Sequence, residues 1–385
     1  MRLATYSRLR LCMLSSLWLG KVWVMGNSQR EVVVPSTRAG SGDFPVLDER
    51  HRGTKFVELA VKSVINSPEA TGMDFWSINP YVGCEFGCSY CYARYAHRYV
   101  VERARDGGRI TQQEFKDFGA PRGLEPFEHR IFVKARERVL NALERDLRRV
   151  RSRTARDGPQ TILIGTGTDP YQPAERQHHV TRTVLTRLRR ERGLRLGLIT
   201  KSPLVCRDVD LLKQLSRHHL LSVYVSLLSV DERVIKIFEA RSPLPHVRLR
   251  AVRRLTSAGV RAGLIVAPVL PGISDSTKQI RELLRAAKHA GAQFIRPVPL
   301  RLYPATRQRF LPLVEQHFPG LVQRYHAAYR DDWDAPTRYA TAMQRRFRQM
   351  AEQFGIYDND TEAEDSVAWA YPTAAQLSLF TEKKT

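Results

Sequence analysis

Six short runs of apolar and β-branched residues recur between residues 75 and 299, and Arg-rich helical stretches lie between them. The runs are Phe75–Tyr81, Thr161–Gly165, Leu194–Thr200, Leu221–Leu228, Val260–Ala267 and Gln293–Pro299. Apolar periodicity predicts helices over Phe132–Val150, Val180–Arg192, Asp208–Arg217, Val247–Ala258 and Ser276–Ala290. Strands that alternate with helices of this length pair in parallel through right-handed crossovers. Six units rather than eight predict an open α/β architecture, a partial TIM-like (β/α)6 barrel. Parallel barrels place their active sites at the carboxyl ends of the strands. That rule nominates Thr166, Thr168 and Asp169 after the second run, Lys201 and Ser202 after the third, and Ser226 near the end of the fourth. Each is equally suited to a turn or a cap, and Asp169-Pro170 is a turn initiator in its own right.

The flanks divide the chain further. Residues 1–73 are expected to be a poorly ordered lead-in, polar after residue 27 and punctuated by Pro35, Gly40, Gly42 and Pro45. Residues 74–305 form the barrel, 306–357 two more helices with Pro312, Pro319 and Pro336 as punctuation, and 358–385 a flexible tail. At the start, Arg2, Arg8 and Arg10 precede an apolar run from Leu11 to Leu19, in the manner of a secretory signal. Lys21 interrupts it and no A-x-A site follows, so an over-extended start, with Met25 as one true beginning, is favoured over export. No run approaches the ~20 apolar residues that span a bilayer, and the expected location is cytoplasmic.

Sixty-two Lys and Arg against thirty-nine Asp and Glu leave a net charge of +23. A field of that sign attracts polyanions, so DNA is the expected macromolecular partner and RNA the alternative. Basic runs at Arg145–Arg156, Arg182–Arg195 and Arg248–Arg254 fall on or beside outer helices. Such helix faces can track phosphates; they can also be solvated surface.

Three of the five cysteines, Cys84, Cys88 and Cys91, fall within eight residues, a spacing that is no disulfide framework. Three thiolates on one loop can hold a [4Fe–4S] cluster and leave one iron open. Gly83 and Gly87 would relieve crowding of the backbone against inorganic sulfide. The competing reading is a Cys3His zinc site completed by His97. Cys12 and Cys206 stand alone, as buried or incidental thiols.

The string Asn79-Pro-Tyr-Val-Gly-Cys84-Glu-Phe-Gly-Cys88-Ser-Tyr-Cys91-Tyr-Ala-Arg resembles the signature of the radical S-adenosylmethionine (SAM) superfamily, with an aromatic residue before the last cysteine. Within it the string is similar to the photolyase-like DNA repair branch related to spore photoproduct lyase. Ile131–Lys134, Thr166–Glu175 and Thr200–Ser202 extend the resemblance, which covers roughly residues 70–300. It implies that the open iron chelates SAM and that an electron donor reduces the cluster. The cofactor would then cleave to a 5′-deoxyadenosyl radical. It also implies that Tyr90 packs near the adenine and that Thr166, Thr168, Asp169, Lys201, Ser202 and Ser226 contribute to the SAM site, Lys201 at the methionyl carboxylate. Spore photoproduct lyase uses a hydrogen-donating cysteine near the end of its second strand. The matching stretch here, Gly165-Thr-Gly-Thr-Asp169, has none, and Cys206 is the other thiol near the expected mouth.

Near the carboxyl terminus, Gln376-Leu-Ser-Leu-Phe380 resembles the short peptide with which bacterial polymerases and repair proteins dock on the replicative sliding clamp. Leu377, Leu379 and Phe380 would be the apolar anchors and Gln376 the polar locator. The expectation is therefore a radical SAM enzyme acting on DNA, with damaged DNA as the candidate substrate, and recruited by the clamp. The alternatives are a radical enzyme that modifies RNA or protein and a non-enzymatic zinc protein that binds nucleic acid.

Overall fold

A computed structural model describes residues 46–50, 54–108, 110–117 and 127–356. Its strands are β1 (Val46–Arg50), β2 (Thr54–Leu59), β3 (Ile65–Asn66), β4 (Trp76–Ile78), β5 (Tyr81–Val82), β6 (Arg130–Lys134), β7 (Thr161–Ile164), β8 (Arg195–Thr200), β9 (Leu220–Ser226), β10 (Ala262–Val269) and β11 (Ile295–Pro299). Every one of the six apolar runs contributes a strand to one sheet, in the order β11-β10-β9-β8-β7-β4-β3. From β4 to β11 the neighbours pair in parallel, and β3 joins β4 antiparallel. The sheet is open, as six units predict. Residues facing the helices, among them Ile162, Ile164, Leu196, Leu198, Val223, Val225, Leu264 and Val266, form one continuous core with the helix faces.

The helices follow their apolar stripes. Val180–Leu188, Val209–Ser216, Pro245–Ser257 and Thr277–His289 each bury one face. A Ser276–Gln279 capping box fixes the start of Thr277–His289 by satisfying amide groups that the first turn leaves without partners. The carboxyl-terminal part holds three helices rather than two, Pro304–His317, Val322–Ala328 and Thr337–Phe354. Pro312 lies inside the first of these. The buried Phe310, Leu311 and Val314 on either side hold that helix against the core.

Two expectations require correction. The helix expected from Phe132 begins at Arg136 and runs to Asp157. Phe132, Val133 and Lys134 complete β6, an aromatic and β-branched segment that pairs with β2 in parallel and with β5 antiparallel. The lead-in expected through residue 73 also contains structure. From Val46, strands β1 and β2 build a second sheet of order β1-β2-β6-β5, buried through Phe56, Val57 and Leu59. Residues 1–45 and 357–385 lie outside the described residues, and with them the signal-like run, Cys12 and the Gln376–Phe380 motif. Among the described residues no helix is long and apolar enough to cross a membrane.

Lys134 ends β6 almost wholly buried, and burial pushes its ammonium down to about 8, against a partial opposing pull from Asp146. Between about 8 and its ordinary value the unfolded chain holds a proton that the folded chain has released, so stability rises with pH across that interval. Lys134→Met removes the buried cation and should stabilise the protein by about 1–3 kcal/mol at pH 7, an advantage that shrinks towards pH 10.5. Urea unfolding of both proteins at pH 7 and pH 10 checks this. An equal advantage at both pH values would contradict it.

Candidate active site

The nine residues Gly83–Cys91 leave β5 and form a loop that closes two turns of its own, Gly87 N to Cys84 O and Cys91 N to Cys88 O, each at 3.1 Å. Neighbours supply its other hydrogen bonds. The Cys84 amide donates to Phe127 O at 3.0 Å, and the Glu85 amide to Gln172 Oε1 at 2.9 Å. The Thr168 hydroxyl donates to Gly83 O at 2.6 Å, and the Ser89 amide to Phe238 O at 3.0 Å. Arg94 donates to Gly87 O and Cys88 O, and its guanidinium pairs with the buried Glu128 carboxylate at 2.8 Å. Thr306 Oγ1 donates to Cys91 O at 3.1 Å, so the carboxyl-terminal helices also hold the loop.

Two positions in the loop need glycine. Gly83 has φ +90°, and a Cβ there would sit 2.6 Å from Arg130 O and 2.9 Å from Phe127 O. Gly87 has φ +55°, and its Cβ would meet Glu128 Cβ at 2.8 Å. The protein's own connection into β6 is therefore enough to require glycine at both positions.

Cys84, Cys88 and Cys91 line one cavity together with Tyr90, Thr166, Thr168, Asp169, Lys201 and Ser226. The last five stand at the carboxyl ends of β7, β8 and β9, where parallel strands present their sites. Met73, Phe75, Ile199, Ile265 and Val298 form an apolar wall, a set that the rule nominating polar strand-end residues leaves out.

The polar candidates divide by what their side chains already hold. Asp169 accepts from the Thr200 hydroxyl at 2.7 Å, the Lys201 amide at 2.6 Å and the Tyr171 amide at 2.9 Å, and so organises the β7 and β8 ends. Thr168 is spent on the cysteine loop. Ser202 does not line the cavity; its Oγ accepts from the Leu204 amide and caps the short helix Pro203–Asp208, the work a serine before proline does well. Thr166, Lys201, Ser226 and Tyr90 remain the cavity's polar face. Cys206 is buried away from it, its thiol 3.8 Å from Ala251 O, which removes it from the mouth.

Behind that face lies a cluster of charge that the sequence did not nominate. Glu239, fully buried, accepts from the Tyr90 hydroxyl and from the Arg248 guanidinium, and Lys201 Nζ lies 3.8 Å from its Oε1. Lys201 Nζ also sits 5.7 Å over the Tyr90 ring. Arg248 donates to Ser226 O at 2.9 Å and Pro243 O at 2.7 Å, and the Ser242 hydroxyl lies 3.8 Å from the Cys88 thiol. Burial alone would raise the Glu239 carboxyl, but Arg248 and Lys201 together hold it below the usual range. Burial would likewise lower Lys201; the Cys88 sulfur and Glu239 more than offset it. The basic run Arg248–Arg254 predicts an outer face, and Arg248 departs from it. Its side chain is 0% exposed, because it sits on the inner stripe of the Pro245–Ser257 helix with Ala251, Val252 and Leu255.

Residues 78–284 match the family model of the radical SAM superfamily. The chain belongs to that superfamily. It is 30% identical over 330 residues to an uncharacterized protein of Mycobacterium tuberculosis, covering 85% of this chain and 86% of the relative. An uncharacterized protein of Methanocaldococcus jannaschii is 23% identical over 221 residues, 57% of this chain and 70% of that one. Among solved structures, spore photoproduct lyase complexed with dinucleoside spore photoproduct shares the fold with a TM-score of 0.54, at 16% identity, over 78% of this chain and 81% of that chain. A double mutant of that lyase with bound AdoMet and the same dinucleoside matches equally well.

A radical SAM enzyme carries a [4Fe–4S] cluster and SAM, and the residues fit that pair. The three thiols are free of disulfides and face one cavity. Burial raises all three, Cys88 to about 11, so each needs a bound cation before it ionises at neutral pH. A zinc ion instead requires its ligands gathered about one point, with sulfurs at ~2.3 Å. The fourth ligand of the zinc reading would be His97, whose side chain lies outside the described residues.

Glu239→Gln keeps the shape and leaves Arg248 without its counter-charge. Breaking a buried pair from one side should cost about 3–5 kcal/mol. Thermal unfolding of the iron-free protein should show a matching fall in Tm, and an unchanged Tm would mean the pair is not held as described.

Proposed function

We propose that this radical SAM enzyme cleaves SAM reductively within the cavity and acts on a nucleotide of DNA, with damaged DNA the favoured substrate. The observation that carries the reading is that three cysteines, a polar face and an apolar wall share one cavity at the carboxyl ends of parallel strands. When bound, the cluster and SAM supply a one-electron reduction of the sulfonium and a 5′-deoxyadenosyl radical that takes hydrogen from a substrate. Cys84, Cys88 and Cys91 would hold the cluster. Lys201, with its ammonium kept charged beside Glu239, would bind the methionyl carboxylate, and Thr166 and Ser226 would bind the amine or ribose hydroxyls. Tyr90 would flank the adenine. Met73, Phe75, Ile199, Ile265 and Val298 would exclude water from the reacting atoms.

The net charge of +23 favours a polyanionic substrate, and a lyase acting on a DNA lesion shares the fold. Reversal of the spore lesion itself is not proposed, because no cysteine stands at Gly165–Asp169 and Cys206 is buried elsewhere. Anaerobic reconstitution should load about four irons per chain and, after chemical reduction, release 5′-deoxyadenosine. Cys88→Ala should lose both the iron and the product, while Cys206→Ala keeps both. Ultraviolet-irradiated DNA should be converted in preference to irradiated RNA. Tight zinc without iron would overturn the enzymatic reading, and turnover of RNA alone would overturn the DNA reading.

Gln376, Leu377, Leu379 and Phe380 are proposed to dock on the sliding clamp. Deleting residues 376–380 should abolish co-purification with the clamp and leave 5′-deoxyadenosine release unchanged. A deletion that still binds the clamp removes the recruitment role.

A further inference from the structure

On the outside of the fold, a groove of about 490 Å³ runs between the Arg136–Asp157 and Val180–Leu188 helices. The ion pairs Arg187–Glu144 and Arg151–Glu191, the latter just past the end of the second helix, advance in the same chain direction on both sides, so the two run parallel. Arg136, Arg182, Arg187 and Arg190 line it with the hydroxyls of Thr183 and Thr186, and no carboxylate is among the lining residues. Two of the four guanidinium groups are neutralised and fixed. Arg187 is held by Glu144 and by Glu191 at 2.8 Å, and Arg182 is paired with Asp208. Arg136 and Arg190 are exposed and have no carboxylate partner among the described residues. The groove thus offers two uncompensated cations above a rigid, neutralised floor. The amino terminus of the Arg136–Asp157 helix adds its dipole at one end.

The groove and the cavity share one connection. The chain leaves β7 along the cavity wall at Gly165–Asp169 and reaches the groove at His179, which lines it. His179 adopts φ 51°, turning the chain from the short helix Glu175–His178 into Val180–Leu188. Arg207 braces the turn by donating to Glu175 O at 3.0 Å, and lies 3.1 Å from His179 Nδ1.

We propose that this groove is a track for the DNA backbone, engaging phosphates of the strand whose nucleotide enters the cavity. The inference rests on the DNA reading above and adds to it a specific surface: Arg136 and Arg190 contact phosphates, while Arg182, Arg187, Thr183 and Thr186 shape the bed. Neutralising a phosphate releases counterions, so the loss of two contacts lowers the slope of log affinity against log salt by about 1.8 on duplex DNA, or about 1.4 on a single strand. The same relation predicts a loss of affinity on the order of 30-fold for duplex at 0.15 M salt.

The test is fluorescence anisotropy with labelled DNA across a salt series, using the reconstituted full chain. Arg136→Ala/Arg190→Ala is compared with Arg281→Ala/Arg285→Ala, which removes the same charge from exposed positions on the Thr277–His289 helix. The groove variant should lose affinity and slope as stated, and the control should stay near wild type. Iron content and substrate-free 5′-deoxyadenosine release should be unchanged in both. Wild-type binding to DNA that both doubles weaken equally, or that neither weakens, overturns the groove and leaves the DNA reading standing. A wild-type chain that binds no DNA, or binds only RNA, overturns both.

Discussion

A loop that carries three thiols into one cavity is held in place largely from outside. Gly83–Cys91 closes two turns of its own, Gly87 N to Cys84 O and Cys91 N to Cys88 O, and the fold supplies the rest from Phe127, the β7 connection, Phe238 and Thr306. Arg94 is the pivotal brace, because one guanidinium binds two loop carbonyls and the Glu128 carboxylate at once. Glu128 in turn takes Arg309 at 2.8 Å, tying the loop to the carboxyl-terminal helix. Charged hydrogen bonds of this kind are the strong ones, and in a buried setting neither partner can be removed cheaply. The second sheet has a structural reason to exist in the same light: β6 carries Arg130 and ends the segment that begins at Phe127, and these set the floor beneath Gly83.

The fold was legible where local pattern and global arrangement coincide. The six parallel strands read directly from apolar runs because both faces of such strands are covered. Strands β1 and β2 were missed for the opposite reason. Val46–Leu59 is short, polar in part and interrupted, and its stability comes from pairing with β6, some seventy residues later, which no local window reports. The start of the helix at Arg136 was missed because Ile131–Val133 satisfies strand and helix patterns equally over a few residues.

The site was legible in its ligands and blind in its supports. A cysteine spacing is a local signal, and the strand-end rule found Thr166, Lys201 and Ser226 from topology alone. It could not separate these from Thr168, Asp169 and Ser202, since the difference lies in which hydrogen bonds are already taken. Arg248 shows the deeper limit. A basic run on an amphipathic helix suggests solvent, and the one arginine turned inward is identified only by its carboxylate partner nine positions earlier on a different element. Buried ion pairs are invisible to periodicity because charge and burial point in opposite directions.

That pair also explains how an apolar cavity can keep a cation at its edge. An isolated ammonium at Lys201 would shed its proton when desolvated. The Cys88 sulfur and Glu239 together prevent this, and Arg248 keeps Glu239 ionised while it serves both Lys201 and Tyr90. Three charges with a net of plus one are less costly to bury than one alone, and the residual positive charge faces the sulfur of Cys88. The arrangement suits a chamber that must bind an anionic group and a thiolate-rich cluster side by side. The remaining wall, from Met73 to Val298, can then stay free of polar atoms that would admit water.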